Sequence, residues 1–271
     1  SSGELRYFER KLSPKLKQVR LIPLSDFHKG NPLCSDKHIL RQRDFIRDND
    51  SVVTVLNGDL CEAVTKQSKG EIYHQLLTPQ EQRDWVIELL MPIKDKILGV
   101  TRGNHETRIW NETGIDICED IAKALGAPYR AEGILLKIVF GGNNNRHPNK
   151  PYSYFIYMTH GYGGARTKSA KAVKVERLGT WIHADCYLMS HDHVVNVAPD
   201  IYLFPDNRTT LDQTTGFTTG KIKAHRKMLV KTGAFLKWGS YAEAGGFPPV
   251  DLSQPIIMFA GTGKPRVSVL I

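Results

Sequence analysis

Seven side chains at five places along the chain have types and spacings that could do chemistry together. Asp26 and His28 flank Phe27, Asp59 follows Gly58, and Asn104 lies between Gly103 and the pair His105-Glu106. Further on, His160 precedes Gly161, and His191 and His193 flank Asp192. The candidate donors are thus Asp26, His28, Asp59, Asn104, His160, His191 and His193. Two carboxylates, one amide and four imidazoles without a thiolate suit two borderline divalent cations, Mn, Fe, Zn or Co. Two ions about 3.5–4 Å apart can generate hydroxide at neutral pH and clamp the attacking and leaving oxygens of a phosphoryl group.

The elements that must position these residues are legible as short apolar runs. Arg20–Leu24, Val52–Leu56, Ile97–Thr101, Leu135–Phe140, Tyr154–Thr159 and Asp185–Met189 read as strands, with amphipathic stretches among them. Five of the six end immediately before a donor group, at the carboxyl end where open α/β sheets place their ligands. If the chain stays extended there, residues i and i+2 share a side, so Asp26 with His28, and His191 with His193, reach one point. Thr78-Pro79-Gln80-Glu81 combines a capping box with proline at the first helical position. Ile117, Ile121 and Leu125 form a helical stripe closed by Gly126, and a third helix follows Ser35. Gly141-Gly142-Asn143-Asn144-Asn145 reads as a hairpin turn. The expected fold class is α/β, in a single domain over residues 1–271 with a β-rich C-terminal portion from about residue 201 that lacks a convincing helix.

In this order Asp26-x-His28, Gly58-Asp59, Gly103-Asn104-His105-Glu106, His160 and His191-x-His193 resemble the calcineurin-like metallophosphoesterase superfamily. The resemblance spans residues 26 to 193 and implies a metallophosphoesterase-type β-sandwich flanked by helices, with αββα layers. It implies a phosphoric ester hydrolase with a bridging hydroxide. One metal would be held by Asp26, His28, Asp59 and His193, the other by Asp59, Asn104, His160 and His191. It further implies that His105 faces the phosphate and protonates the leaving oxygen, giving Asp59, Asn104 and His105 the catalytic roles. Two features depart from the pattern. Ser190 stands where the family has glycine, and Gly58-Asp59 continues as Leu60-Cys61-Glu62-Ala63, without the arginine that holds phosphate in the protein Ser/Thr phosphatase branch.

Lys and Arg outnumber Asp and Glu by 37 to 28, a formal +9, which favours polyanionic partners such as DNA or RNA. The first expectation for substrate is therefore a phosphodiesterase or nuclease on nucleic acid. A phosphomonoesterase on a nucleotide or small metabolite is the alternative, and a non-catalytic binding module on the same fold is the third reading. No apolar run is long enough to span a membrane, no N-terminal apolar region suggests a signal peptide, and the four cysteines show no metal or disulfide spacing, so a cytoplasmic protein is expected. Cys61 reads as a small core residue. A helix after Gly164 would carry Val175, Leu178 and Ile182 inward, with Lys168 and Lys171 on the same stripe nearer the metals, placed to hold substrate phosphate. The cationic run Lys221, Lys223, Arg226, Lys227 and Lys231 reads as a solvated face. His38, His74, His147, His183 and His225 match no motif and read as structural or surface residues.

Overall fold

Two β-sheets face each other in the computed structural model, which describes residues 3–66, 68, 72–142, 150–164, 167–239, 241–244 and 249–271. In chain order the first half comprises β1 (Tyr7–Lys11), β2 (Gln18–Leu24), α1 (Asp36–Arg47), β3 (Val52–Asn57), α2 (Pro79–Leu90), β4 (Ile97–Thr101), α3 (Asn104–Thr113) and α4 (Ile117–Leu125). The second half comprises β5 (Ile134–Phe140), β6 (Tyr152–Thr159), α5 (Lys168–Trp181), β7 (Cys186–Met189), β8 (Asn196–Leu211), β9 (Thr218–Lys231), α6 (Tyr241–Ala244), β10 (Ile256–Ala260) and β11 (Val267–Leu270). One sheet has the order β1-β5-β6-β7-β9-β8 and the other β11-β10-β2-β3-β4.

The layers follow from which faces are apolar. Val19, Leu21, Val53 and Val55 of one sheet meet Leu136, Ile138, Ile156, Leu188 and Val230 of the other in a shared core. On the outer side of the β2-β3-β4 sheet, Ile22, Leu24 and Leu56 pack against Ile39 and Ile46 of α1, Val86 and Leu90 of α2, and Ile121 and Leu125 of α4. On the outer side of the other sheet, Val175 and Leu178 of α5 cover Tyr187, Met189 and Leu229. The result is the αββα sandwich that the resemblance implied. Strand β3 is buried along its whole length because both its faces are covered, whereas β5 alternates buried and half-buried residues.

The helix signals act as read. Thr78 Oγ1 accepts from the Glu81 N–H while Glu81 Oε2 accepts from the Thr78 N–H at 2.8 Å, and Gly126 closes α4 in the left-handed conformation. The six expected strands are present with ends shifted by at most two residues. The short helix α6 interrupts the C-terminal third, which was expected to hold none. Gly141 and Gly142 precede residues outside the described set, where the expected hairpin turn and His147 lie. No helix among the described residues is long and apolar enough to cross a membrane.

Parallel pairing sets the polarity that matters for the site. Strands β2, β3 and β4 run parallel, as do β6, β7 and β9, so their carboxyl ends collect together in each sheet.

Candidate metal centre

The five donor groups leave β2, β3, β4, β6 and β7 at one pole of the sandwich. The turns that carry them are not extended. Asp26, His28, Asp59, His191 and His193 all have positive φ, between 51° and 72°, and among the described residues the one other non-glycine with positive φ is Ala63. A left-handed conformation costs an L-residue about 1–2 kcal/mol. The pairs Asp26/His28 and His191/His193 therefore converge because each backbone curls left-handedly, and not by the strand alternation expected from sequence. The curl is held by long-range backbone bonds: Asp26 N–H to Gly58 O, His28 N–H to Asp59 O and Ser190 N–H to His160 O.

Two ligand-like groups result. Asp26, His28 and His193 offer atoms within 4.8 Å of one another, and so do Asp59, His160 and His191. Asp59 lies between them, with Oδ2 at 3.1 Å from His160 Nε2 and 4.0 Å from His28 Nε2. Asn104 Oδ1 joins the second group at 3.0 Å from His160 Nε2 and 2.7 Å from His191 Nδ1. A further grouping, His28, Asp59 and His105, meets the same distance criterion, since His105 Nε2 lies 3.9 Å from Asp59 Oδ2. The structure thus brings together all seven sequence-derived donors, with His105 beside them.

The hydrogen-bond accounting shows whether a cation fits. His28 Nδ1 faces Glu62 Oε2 at 3.0 Å, His160 Nδ1 faces Asn57 O at 2.7 Å, and His191 Nε2 faces Gly163 O at 2.7 Å. An acceptor fixes the proton on that nitrogen, leaving the opposite ring nitrogen turned into the cluster with its lone pair. Asp26 is fully buried, yet neither carboxylate oxygen makes a hydrogen bond of acceptable geometry, although His193 Nε2 lies 3.1 Å from Oδ1. A buried unsatisfied carboxylate is costly unless a cation neutralises it. The donor set and the orphaned Asp26 fit a divalent metal centre.

The electrostatics have the same character. Burial opposes charge on Asp26 and Asp59. For Asp26 the close approach and charge of His193 outweigh it, and for Asp59 the charges of His160 and His105 do, so both carboxyls stay below their ordinary range. Burial likewise opposes protonation of His28 and His160. The Glu62 bond, with the charges of Glu62, Asp59 and Asp26, nonetheless pulls His28 up to about 9, while Asp59 and Asp26 pull His160 up to about 10. Without cations, protons balance this acidic cluster. Burial lowers His105 to about 4, with the charges of His28 and Arg108 acting the same way, and burial and the His160 charge lower His191.

Several supporting residues were given no role by the sequence reading. Glu106 is buried and accepts from the N–H groups of Asp59, Cys61 and Gly103, which ties the β3 and β4 turns together. Burial and the neighbouring Asp59 charge push it up to about 7. Glu62 was visible only as the residue four beyond Gly58, and its contact with His28 comes from folding. Ser190 Oγ accepts from Asn57 Nδ2 and from Thr232 Oγ1, both at 2.7 Å, so the serine that replaces glycine anchors the floor of the site. Its φ is not positive, which removes the need for glycine there.

Three lysines gather on Asp192, the residue between the two late histidines. Lys171 Nζ donates to the Asp192 carbonyl at 3.1 Å, Lys174 Nζ to Asp192 Oδ1 at 3.1 Å, and Lys231 Nζ to Asp192 Oδ2 and Ser190 O. Lys171 is therefore buried against the histidine loop, and Lys168 opens α5 with its side chain outside the described set. The expectation that Lys227 and Lys231 belong to a solvated face is overturned. Lys231 is fully buried on Asp192, and Lys227 is buried with Nζ on Gly179 O, because the last residues of β9 run beneath α5 and the histidine loop. Lys221, Lys223 and Arg226 are exposed, as expected. Cys61 is buried, and His183 and His225 lie against each other with ring centroids 4.4 Å apart.

No protein-family model matches the chain, and no curated protein matches it. Solved structures that overlap it include a Vps29 variant from Entamoeba histolytica, 13% identical with a TM-score of 0.40, covering 93% of this chain and 98% of that one. The nuclease MPE from Pseudomonas putida is 12% identical with a TM-score of 0.37, covering 92% and 87%. The calcineurin-like phosphoesterase YfkN from Bacillus subtilis is 10% identical with a TM-score of 0.39, covering 93% and 90%. These overlaps are loose, and the chemistry is read from this chain's own residues. In its αββα layers and in the order of its motif residues, the chain is similar to the calcineurin-like metallophosphoesterases.

Proposed function

We propose that the protein is a metal-dependent phosphoester hydrolase with a two-metal centre, acting as a phosphodiesterase or nuclease on nucleic acid. The observation that carries the reading is the buried Asp26 carboxylate without a hydrogen-bond partner, with His193 Nε2 at 3.1 Å and His28 Nε2 at 3.9 Å from Oδ1 and the other nitrogen of His28 already engaged by Glu62. Asp26, His28, Asp59 and His193 would hold one ion, and Asp59, Asn104, His160 and His191 the other. When bound, such ions supply hydroxide from water and offset phosphoryl charge.

The chain's own residues supply the rest. A new P–O bond forms to the oxygen of water, the P–O bond to the leaving alcohol breaks, and the leaving oxygen takes up a proton. His105 Nε2 turns to the cluster while Nδ1 faces the Glu62 carbonyl at 2.8 Å, so His105 donates to the leaving oxygen from Nε2 once the charge of the bound phosphoryl group raises the ring from its buried, neutral state and it takes up a second proton. Asn104 orients the phosphoryl oxygens beside His160 and His191. The formal +9 supports a polyanionic substrate. No donor of the set is missing, which separates this reading from that of a non-catalytic module.

The test is metal content together with hydrolysis of a chromogenic phosphomonoester, a chromogenic phosphodiester, and DNA and RNA, each with added Mn. Asp59→Asn should lose both metal and turnover. His105→Ala should keep its metal and lose roughly 10²–10⁴-fold in kcat. Wild-type turnover in a clean Asp59→Asn protein would defeat the proposal. Preference for the monoester would move the substrate class to a nucleotide or small metabolite.

A further inference from the structure

We infer that Arg108 is a specificity-determining residue that binds a second phosphate on the leaving-group side of the site. This rests on the phosphoester-hydrolase reading above. Arg108 lies one helical turn after His105 on α3, half-buried, with Nη1 3.4 Å from His105 Nδ1. That nitrogen already faces the Glu62 carbonyl, and a guanidinium has no acceptor, so this contact is an approach and not a satisfied hydrogen bond. Arg108 makes no ion pair with any described carboxylate. Among the described residues, the carboxylates of Glu62 and Glu112 are engaged elsewhere: Glu62 Oε2 on His28 Nδ1 at 3.0 Å, and Glu112, one turn further along α3, on Thr65 Oγ1.

A half-buried guanidinium has lost part of its hydration and retains its full charge, so an anion at that place gains more than it would at an exposed arginine. The position of the group decides which anion. The His105 ring stands between Asp59, 3.9 Å from Nε2, and Arg108, 3.4 Å from Nδ1. A phosphoryl group at the cluster is therefore separated from Arg108 by the imidazole that serves its leaving oxygen. Arg108 meets what lies beyond that oxygen. The chemistry it recognises is a further phosphate carried by the leaving group, as in a polynucleotide backbone or a nucleoside diphosphate. It supplies, from α3, a phosphate-binding arginine to a chain that has none after Gly58-Asp59.

The experiment compares kcat/KM for wild type, Arg108→Ala and Arg108→Lys on three Mn-supplemented substrates. These are bis(4-nitrophenyl) phosphate, a thymidine dinucleotide with a 3′-terminal phosphate, and ADP. Arg108→Ala should lower kcat/KM for a substrate with a second phosphate about 10- to 100-fold more than for the chromogenic diester, mainly through KM, with Arg108→Lys between. Loss confined to the dinucleotide identifies a nucleic-acid backbone as the source, and loss confined to ADP identifies a nucleoside diphosphate. Equal losses on all three, or no loss, overturn the assignment. If wild type hydrolyses none of them, the function proposed above fails. The arginine is then judged by calorimetric binding of pyrophosphate, where equal affinity in wild type and Arg108→Ala refutes its role.

Discussion

Nε2 of His28 lies 3.0 Å from Nε2 of His193, in a pocket whose carboxylates are Asp26 and Asp59. Two imidazole lone pairs cannot face each other at that distance unless something positive stands between them. A proton on His28, which Glu62 and its neighbours pull up to about 9, fills that place without metal. A divalent cation would replace it. Adding Mn or Zn at about 100 times its dissociation constant should therefore stabilise the fold by about 2.7 kcal/mol per site, read as a raised melting midpoint that a chelator reverses. Atomic absorption should count two ions per chain in wild type and one in His193→Ala. A midpoint indifferent to every borderline metal would sink the metal reading.

Gly103 gives a second prediction. A Cβ at this position would lie 2.1 Å from both the backbone nitrogen and Oδ1 of Asp59, and 2.7 Å from Glu106 Oε2. No rotamer change relieves a clash with backbone. Gly103→Ala should cost about 1–3 kcal/mol in urea unfolding and displace Asp59 enough to lower metal content. Native metal content and stability in this variant would show that the two turns can part freely, contrary to the packing described.

Lys231 gives a third. Fully buried and donating to Asp192 and Ser190, it fixes the loop that presents His191 and His193. Lys231→Met keeps its length and removes the ammonium. Breaking a buried pair costs about 3 kcal/mol or more, and Lys171 and Lys174, which remain on Asp192, soften the loss toward the low end. The expected result is a destabilised protein with weakened metal binding, and Lys231→Arg should restore part of both. Wild-type behaviour of Lys231→Met would mean that the other two lysines suffice.

The contrast between the donors and their supports shows what a sequence can carry. Asp26, Asp59, Asn104, His160 and His191 each end a short apolar run, and local order made them readable. Thr78 and Gly126 announced their helix ends by rules confined to a few residues. Glu62 on His28, 34 positions away, and Lys231 on Asp192, 39 positions away, have no local signature, because the partner is supplied by sheet order. Lys231 was misjudged for that reason, as one cation in an exposed-looking run. Helix α3 escaped notice because its first residues, Asn104 and His105, read as a strand-end ligand and a phosphate-facing histidine, and its apolar content is low. The left-handed turns also escaped, since nothing in Asp-Phe-His states that the backbone curls.

Those curled turns bear on how quickly the centre can be loaded. Folding sets Asp26, His28, Asp59, His191 and His193 in their uncommon backbone shapes, so an arriving ion meets donors that already converge. Uptake is then governed by the ion's own shedding of water, so slowly dehydrating cations should load slowly whatever their final affinity.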